Sequence, residues 1–130
     1  SADSKQISMT VDCSPLILAR HDPQWTSEAL FNLLENAVKY TAAGGCIQIE
    51  AESNEMFTRI TVADTGMGIP PEELEHIFKR FYRGTGAREF EGVGIGLFLA
   101  REIISLQGGF MTATSEPGEG TVISIFLPQI

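Results

Sequence analysis

Asn32-Leu33-Leu34-Glu35-Asn36-Ala37-Val38-Lys39-Tyr40 sets two carboxamides and a lysine along one side of a helix. At about 100° per residue, Asn32, Asn36 and Lys39 fall within roughly 60° of arc, while Leu30, Leu33, Leu34, Ala37 and Val38 fill the opposite side. The helix therefore has a core face and a polar face. A carboxamide oxygen is a hard, neutral ligand suited to Mg²⁺, and a lysine ammonium one turn along suits phosphates. The polar face is thus either a working face for a magnesium nucleotide or an ordinary solvated one, and the helix alone does not choose between them.

The surrounding chain reads as one domain. Its 130 residues suffice for a real core, and 43 % hydrophobic with 20 % charged residues is the balance of an ordinary globule. A formal charge of −8 argues against a nucleic-acid-coating surface and against docking on an anionic membrane. Any phosphate site must be local, and Lys79, Arg80, Arg83 and Arg88 do cluster within ten residues. A solvated surface run is their other reading. Cys13 and Cys46 lack metal-ligand spacing and read as small buried hydrophobes in a reducing compartment. No apolar run approaches the ~20 residues needed to span a bilayer, and no signal peptide is apparent. A start at Ser1 without Met suggests a piece of a longer protein.

Along the chain, Ile7 to Val11 alternates as a half-buried strand, and Leu16 to Ala19 reads as a second extended piece. Asp22 before Pro23 is a helix start, with the helix running to about Tyr40 and stopping at Gly44-Gly45. Ile47 to Ala51 and Ile60 to Ala63 alternate around Ser53-Asn54 as an antiparallel hairpin. That hairpin ends at Asp64-Thr65-Gly66-Met67-Gly68-Ile69-Pro70, where two glycines allow close backbone approach to a ligand. A short helix from Pro71 to about Phe78 follows. The stretch from Arg80 to Gly94, with four glycines and few apolar anchors, is expected to move. Leu97, Ala100, Ile103 and Ile104 recur at helical spacing up to Gly108-Gly109, and Phe110 to Ser115 with Thr121 to Leu127 form a closing strand pair. The order implies an α+β sandwich, with helices layered on one face of a mixed sheet.

Gly92-Val93-Gly94-Ile95-Gly96 opens the second long helix, where free amides and the positive dipole end suit an anion, although such glycines also serve turn geometry. The spacing fits neither the dinucleotide fingerprint nor a P-loop. Asp64, at the end of an apolar strand, can accept from an exocyclic amine or shape its own loop as an Asx turn. His21 and His76 have no nucleophile partner in sequence and read as surface residues.

In their order, these segments resemble the ATP-binding catalytic domain of sensor histidine kinases, within the GHKL superfamily that also includes DNA gyrase, the MutL ATPases and heat-shock chaperone ATPases. The resemblance covers nearly the whole chain, residues 1–130. Asn32–Tyr40 is similar to the N box, Asp64–Gly68 to the G1 box, Phe78–Arg83 to the F box, Gly92–Gly96 to the G2 box and Gly118–Thr121 to the G3 box. It implies the Bergerat fold: a two-layer sandwich of a mixed, mostly antiparallel sheet with helices on one face and a flexible ATP lid, about Gly84 to Val93.

By position, the resemblance implies that Asn36 coordinates Mg²⁺ with support from Asn32, that Lys39 holds phosphates, and that Tyr40 lines the nucleotide pocket. Asp64 would accept from the adenine amino group, helped by Thr121 directly or through water. Gly66, Gly68 and Ile69 of the turn, with Phe81, Gly92, Gly94, Gly96 and Leu97, complete the ATP-binding set. Arg83 would reach the γ-phosphate, and Phe78 and Phe81 would anchor the lid and contact the partner domain. The implied catalytic residues are Asn36, Lys39 and Arg83.

Hydrolysing members of the superfamily carry a glutamate base where this chain has Asn32, which favours phosphotransfer to a histidine over hydrolysis. The acceptor histidine of the family lies in a separate dimerisation domain, and neither His21-Asp22-Pro23 nor His76-Ile77-Phe78 matches its context. The implied partners are that domain and a downstream response regulator. The implied location is the cytoplasm, with a parent that can be anchored in the bacterial inner membrane. A clamp ATPase of the same fold and a non-catalytic nucleotide-sensing module are the alternatives.

Overall fold

A computed structural model describes residues 7–13, 22–69, 71–74, 76–78 and 96–129. Strand β1 (Ser8–Cys13) leads to helix α1 (Pro23–Tyr40), the hairpin β2 (Cys46–Ser53) and β3 (Phe57–Asp64), and the short helix α2 (Pro71–Leu74). Helix α3 (Gly96–Leu106) and the hairpin β4 (Phe110–Glu116) and β5 (Gly120–Pro128) follow. The sheet order is β1-β2-β3-β5-β4. β1 pairs with β2 in parallel, and every other neighbouring pair is antiparallel. This is the mixed α+β sheet that the element order implied, and the mostly antiparallel one that the resemblance implied.

Helix α1 begins where its cap dictates. Asp22 accepts from the N–H groups of Gln24 at 3.0 Å and Trp25 at 3.3 Å, and Pro23 occupies the first turn, where its missing N–H costs nothing. A second restraint comes from far along the chain. Gln107, just past α3, accepts from the backbone N–H of Asp22 and donates to the Thr26 hydroxyl at 3.2 Å. The end of one helix thereby fixes the start of the other. The C-terminal end of α3 closes as Gly108-Gly109 foretell, with Gly108 at φ +83° and the Gly109 N–H reaching the Ile104 carbonyl at 3.0 Å.

One face of the sheet carries the core. The register aligns Ile49 with Val62, Val62 with Ile123 and Ala113 with Ile123, so strand alternation sends these side chains to the same side. Ala29, Leu33 and Ala37 of α1 and Ala100 and Ile104 of α3 are buried against them. On the opposite face, Phe110 and Phe126 stack with centroids 4.5 Å apart, and the Phe57 ring meets Phe110 edge-on at 5.3 Å. Asn54 organises the β2–β3 turn by accepting from the N–H groups of Met56 and Phe57, both at 2.8 Å.

Two expectations change. Cys46 is exposed, because the strand alternation that buries Ile47 and Ile49 turns Cys46 to the open face. Cys13 stands opposite Ala51, five residues along from the Ser8–Cys46 pair, or about 17 Å at strand rise, beyond disulfide reach. The helix expected from Pro71 to Phe78 ends at Leu74 and gives way to a turn at 76–78. There Ile77 still buries its side chain in the core and Phe78 packs beside it, so the apolar positions are used without a continuous helix. The expected strand Leu16 to Ala19, the basic run from Lys79 to Arg88, and the lid lie outside the described residues.

The fully buried Ile104 and the exposed Cys46 mark the extremes of this core. Ile104→Ala should cost about 2–5 kcal/mol in urea unfolding, whereas Cys46→Ser should stay within about 0.5 kcal/mol of the parent chain.

Candidate nucleotide site

The end of β3 is where sequence and tertiary structure converge. The Asp64 carboxylate accepts through one oxygen, Oδ1, from the Gly66 N–H at 2.9 Å and from the Thr121 N–H at 3.3 Å. The first bond is the Asx turn that the sequence allowed; the second crosses to β5, where Thr121 is the register partner of Asp64. The two readings of Asp64 are therefore compatible, since the turn uses Oδ1 and the described residues donate nothing to Oδ2. Burial raises the carboxyl's pKa above the ordinary aspartate value, and the hydrogen bonds from Gly66 and Thr121 oppose that rise.

The glycine turn is held on both flanks. The Met67 N–H donates to the carbonyl of Tyr40, the last residue of α1, at 3.2 Å, and the Gly118 N–H donates to the Met67 carbonyl at 2.7 Å. A Cβ on Gly66 would come within 2.3 Å of the Tyr40 carbonyl oxygen, and one on Gly68 within 2.3 Å of the Glu116 carbonyl oxygen. Only glycine backbone permits this double approach. The Ile69 N–H completes the seam by donating to the Ser115 hydroxyl at 2.6 Å.

Two open clefts flank this turn. One, of about 300 Å³, is lined by Asp64, Ser115, Glu116, Gly120 and Thr121 among others. The other, of about 340 Å³, is lined by Lys39, Tyr40, Thr41, Thr65, Gly66 and Met67 among others. The structure thus gathers Lys39, Tyr40, Asp64, Gly66 and Thr121 around one loop. Asn32 and Asn36 line neither of these clefts; both are half-buried on the flank of α1 beside its core stripe. Gly68 is buried, Ile69 is half-buried against the core, Gly96 is the first residue of α3, and the Leu97 side chain packs into the core. Phe78 packs against the core with the Arg101 guanidinium 5.6 Å from its ring centroid. Phe81, Arg83, Gly92 and Gly94 lie outside the described residues.

The polar face of α1 fits a phosphate-bearing ligand on one direct observation. Asn32 Nδ2 is buried and has no hydrogen-bond partner among the described residues. A buried amide donor left unpaired costs about 1–3 kcal/mol, which an incoming oxygen acceptor would recover. Among the described residues no three His, Cys, Asp or Glu side chains converge as a metal cage, so a cation here would rely on carboxamide and phosphate oxygens, a donor set that suits Mg²⁺.

This arrangement has close counterparts. Residues 21–130 match the family described as histidine kinase-, DNA gyrase B-, and HSP90-like ATPase. The chain belongs to this family. The sensor protein SrrB of Staphylococcus aureus (strain NCTC 8325) is 37 % identical over 130 residues, which cover 98 % of this chain and 22 % of SrrB. The chain therefore spans about a fifth of the length of the curated relatives it matches. Among solved structures, the mycobacterial sensor histidine kinase MprB superposes with a TM-score of 0.87 at 28 % identity, covering 98 % of this chain and 87 % of that one. Full-length ShkA in complex with AMPPNP superposes at 0.83 with 29 % identity, covering 98 % of this chain and 26 % of that one. The histidine kinase catalytic domains among these neighbours carry the Bergerat fold, and this member of the family shares it.

Two residues at the site carry no motif signal. Ser115 bridges the glycine turn to β5, and Thr65 accepts from the Cys46 N–H at 2.9 Å. Counting outward from the Pro117-Gly118 turn puts Ser115 opposite Thr121, a pairing that strand alternation alone could have revealed.

Gly68 and Gly118 both have positive φ, +74° and +83°, but a Cβ on Gly118 meets nothing within 4 Å. Gly118→Ala should cost about 1–2 kcal/mol from backbone strain alone. Gly68→Ala adds overpacking and should cost about 2–5 kcal/mol, so thermal melts of the two variants should separate clearly.

Proposed function

We propose that residues 1–130 form the catalytic ATP-binding domain of a sensor histidine kinase, which binds Mg²⁺-ATP and transfers the γ-phosphoryl group to a histidine on the dimerisation domain of its parent protein. The observation that carries the reading is the half-used Asp64 carboxylate: Oδ1 accepts from the backbone, no described residue donates to Oδ2, and Asp64 lines a cleft together with Thr121. An exocyclic amine of adenine would satisfy it. SrrB and MprB support the sensor-kinase assignment, and the AMPPNP complex of ShkA supports an adenine nucleotide as ligand.

In this reading Asn36, with Asn32 beside it, would hold Mg²⁺, which when bound neutralises phosphate charge. Lys39 adds a cation at the same end of α1, and Tyr40 lines the cleft next to it. Gly66, Gly68 and Ile69 shape the base side of the pocket. Gly92, Gly94, Gly96 and Leu97 would offer amides to phosphate at the start of α3, and Phe81 and Arg83 would complete the site, Arg83 at the γ-phosphate. Catalysis would rest on positioning: the γ-phosphorus exchanges its bond to the β-phosphate oxygen for one to the acceptor imidazole nitrogen, and ADP leaves. Asn32 cannot accept a proton from water, so the domain would wait for its acceptor rather than hydrolyse ATP quickly. The phosphohistidine would then supply a response regulator. The domain would work in the cytoplasm; among the described residues no helix is long and apolar enough to cross a membrane.

The test pairs calorimetry with label transfer. Mg²⁺-ATP should bind the chain, and Asn36→Ala should weaken it about ten- to a hundredfold, the worth of one charge-assisted contact, without loss of fold. With the parent's dimerisation domain added, label from γ-labelled ATP should appear there as an acid-labile, base-stable phosphoramidate. Brisk hydrolysis by the isolated chain with no transfer would overturn the kinase reading in favour of a clamp ATPase.

The raised pKa of Asp64 gives a pH signature. ATP affinity should fall on acidification at a higher pH than an ordinary aspartate would give, because the protonated carboxyl turns a donor on the ligand amine. A carboxyl raised in the folded state favours folding below its unfolded value and loses that contribution as pH rises through the folded value. Asp64→Asn should therefore be at least as stable as the parent chain at pH 7, with the advantage fading in acid, while its ATP affinity drops because the NH₂ faces the ligand. Parallel urea melts and calorimetry across pH check both signs.

A further inference from the structure

Ser115 Oγ has three polar neighbours: the Ile69 N–H at 2.6 Å, the Gly120 carbonyl oxygen at 2.9 Å and Thr121 Oγ1 at 2.9 Å. A serine hydroxyl carries one proton and two lone pairs. The Ile69 N–H can only donate, and the Gly120 carbonyl can only accept. All three contacts are satisfied at once in a single way: Ser115 donates to Gly120, accepts from Ile69, and accepts the hydroxyl proton of Thr121. The proton of Thr121 is thereby committed to Ser115, and only lone pairs remain on Thr121 Oγ1 for a ligand.

Asp64 and Thr121 line the same cleft, and both backbone N–H bonds to Asp64 go to Oδ1. The ionised carboxylate is acceptor-only. The base end of the cleft therefore presents two acceptors side by side and no side-chain donor from either residue.

We propose that Ser115 is a specificity-determining positioning residue: by holding the Thr121 hydroxyl proton it keeps the base end of the cleft an all-acceptor surface, which takes a purine bearing an exocyclic amine and rejects one bearing a carbonyl at that position. The proposal rests on the nucleotide reading of the cleft. Without Ser115 the Thr121 proton loses its acceptor and is free to turn into the cleft. A carbonyl-bearing base then gains a donor, and an amine-bearing base loses an acceptor.

ATP and ITP differ at this point, amine against carbonyl, and their Mg²⁺ complexes are the probes. Calorimetry on the parent chain should show a preference for ATP. Ser115→Ala should narrow the ATP-to-ITP affinity ratio about three- to tenfold, the worth of one redirected hydrogen bond, and Ser115→Thr should restore it. A purely structural Ser115 would weaken both nucleotides by the same factor, and an unchanged ratio in a folded Ser115→Ala protein overturns the proposal. Should circular dichroism show that Ser115→Ala does not fold, Ser115→Cys carries the same test, because a thiol accepts the Thr121 proton only weakly: a narrowed ratio supports the proposal, and an unchanged or widened one overturns it. A parent chain that binds ATP and ITP equally overturns the proposal alone. One that binds neither removes the nucleotide reading and the proposal with it.

Discussion

Two hydrogen bonds to one carboxylate oxygen hold the working end of this molecule together. Asp64 Oδ1 ties the glycine turn to β3 through Gly66 and ties β5 to both through Thr121. Each bond is to a charged acceptor in a partly buried place, so each is worth more than a neutral surface contact. Burial raises the carboxyl's pKa, and the same two bonds oppose that rise.

The rest of the structure serves that point by rigid attachment. α1 is fixed at its start by Asp22 and Gln107 and at its end by the Tyr40 carbonyl, which receives the Met67 N–H. Its polar stripe is thus held at constant depth relative to the glycine turn. α3 packs on α1, and Ala29 and Leu33 of α1 are buried in one core with Ala100 and Ile104 of α3, so the two helices form one layer. Set on separate loops, the polar face of α1 and the cleft beside Asp64 would drift by more than hydrogen-bond tolerances; set on one layer and one sheet, they keep their spacing.

In the proposed reading, the division between phosphotransfer and hydrolysis rests on one side chain, Asn32. Fold and nucleotide pocket are shared across a family whose name joins kinases, gyrases and chaperones. Asn32 in place of a carboxylate removes proton acceptance and keeps size and hydrogen bonding. Its Nδ2 is buried and has no hydrogen-bond partner among the described residues.

Much of this was legible in the chain itself, because local rules govern it. The Asp22-Pro23 start, the glycine stops, the alternation of β2, β3 and β5, and the helical spacing of Leu97, Ala100 and Ile104 each follow from backbone geometry within a few residues, and the ordered glycine and asparagine boxes pointed to the family. Alternation places Ile47 and Ile49 inward and by the same rule turns Cys46 outward; the expectation of a buried Cys46 follows the general preference of free cysteine for the interior, which the strand overrides. The early end of α2 was equally hidden, since Ile77 and Phe78 have core positions to fill whether or not the helix continues. Sequence by itself determined the elements, the α+β class and the residue types of the site. Tertiary structure alone decided that Gln107 would cap the approach to α1, that Ser115 would meet Ile69, and that one oxygen of Asp64 would accept from the Thr121 N–H across to β5. Those are contacts between residues 46 to 85 positions apart, and no local propensity encodes them; they exist only once burial of the shared core has fixed the strands and helices against one another.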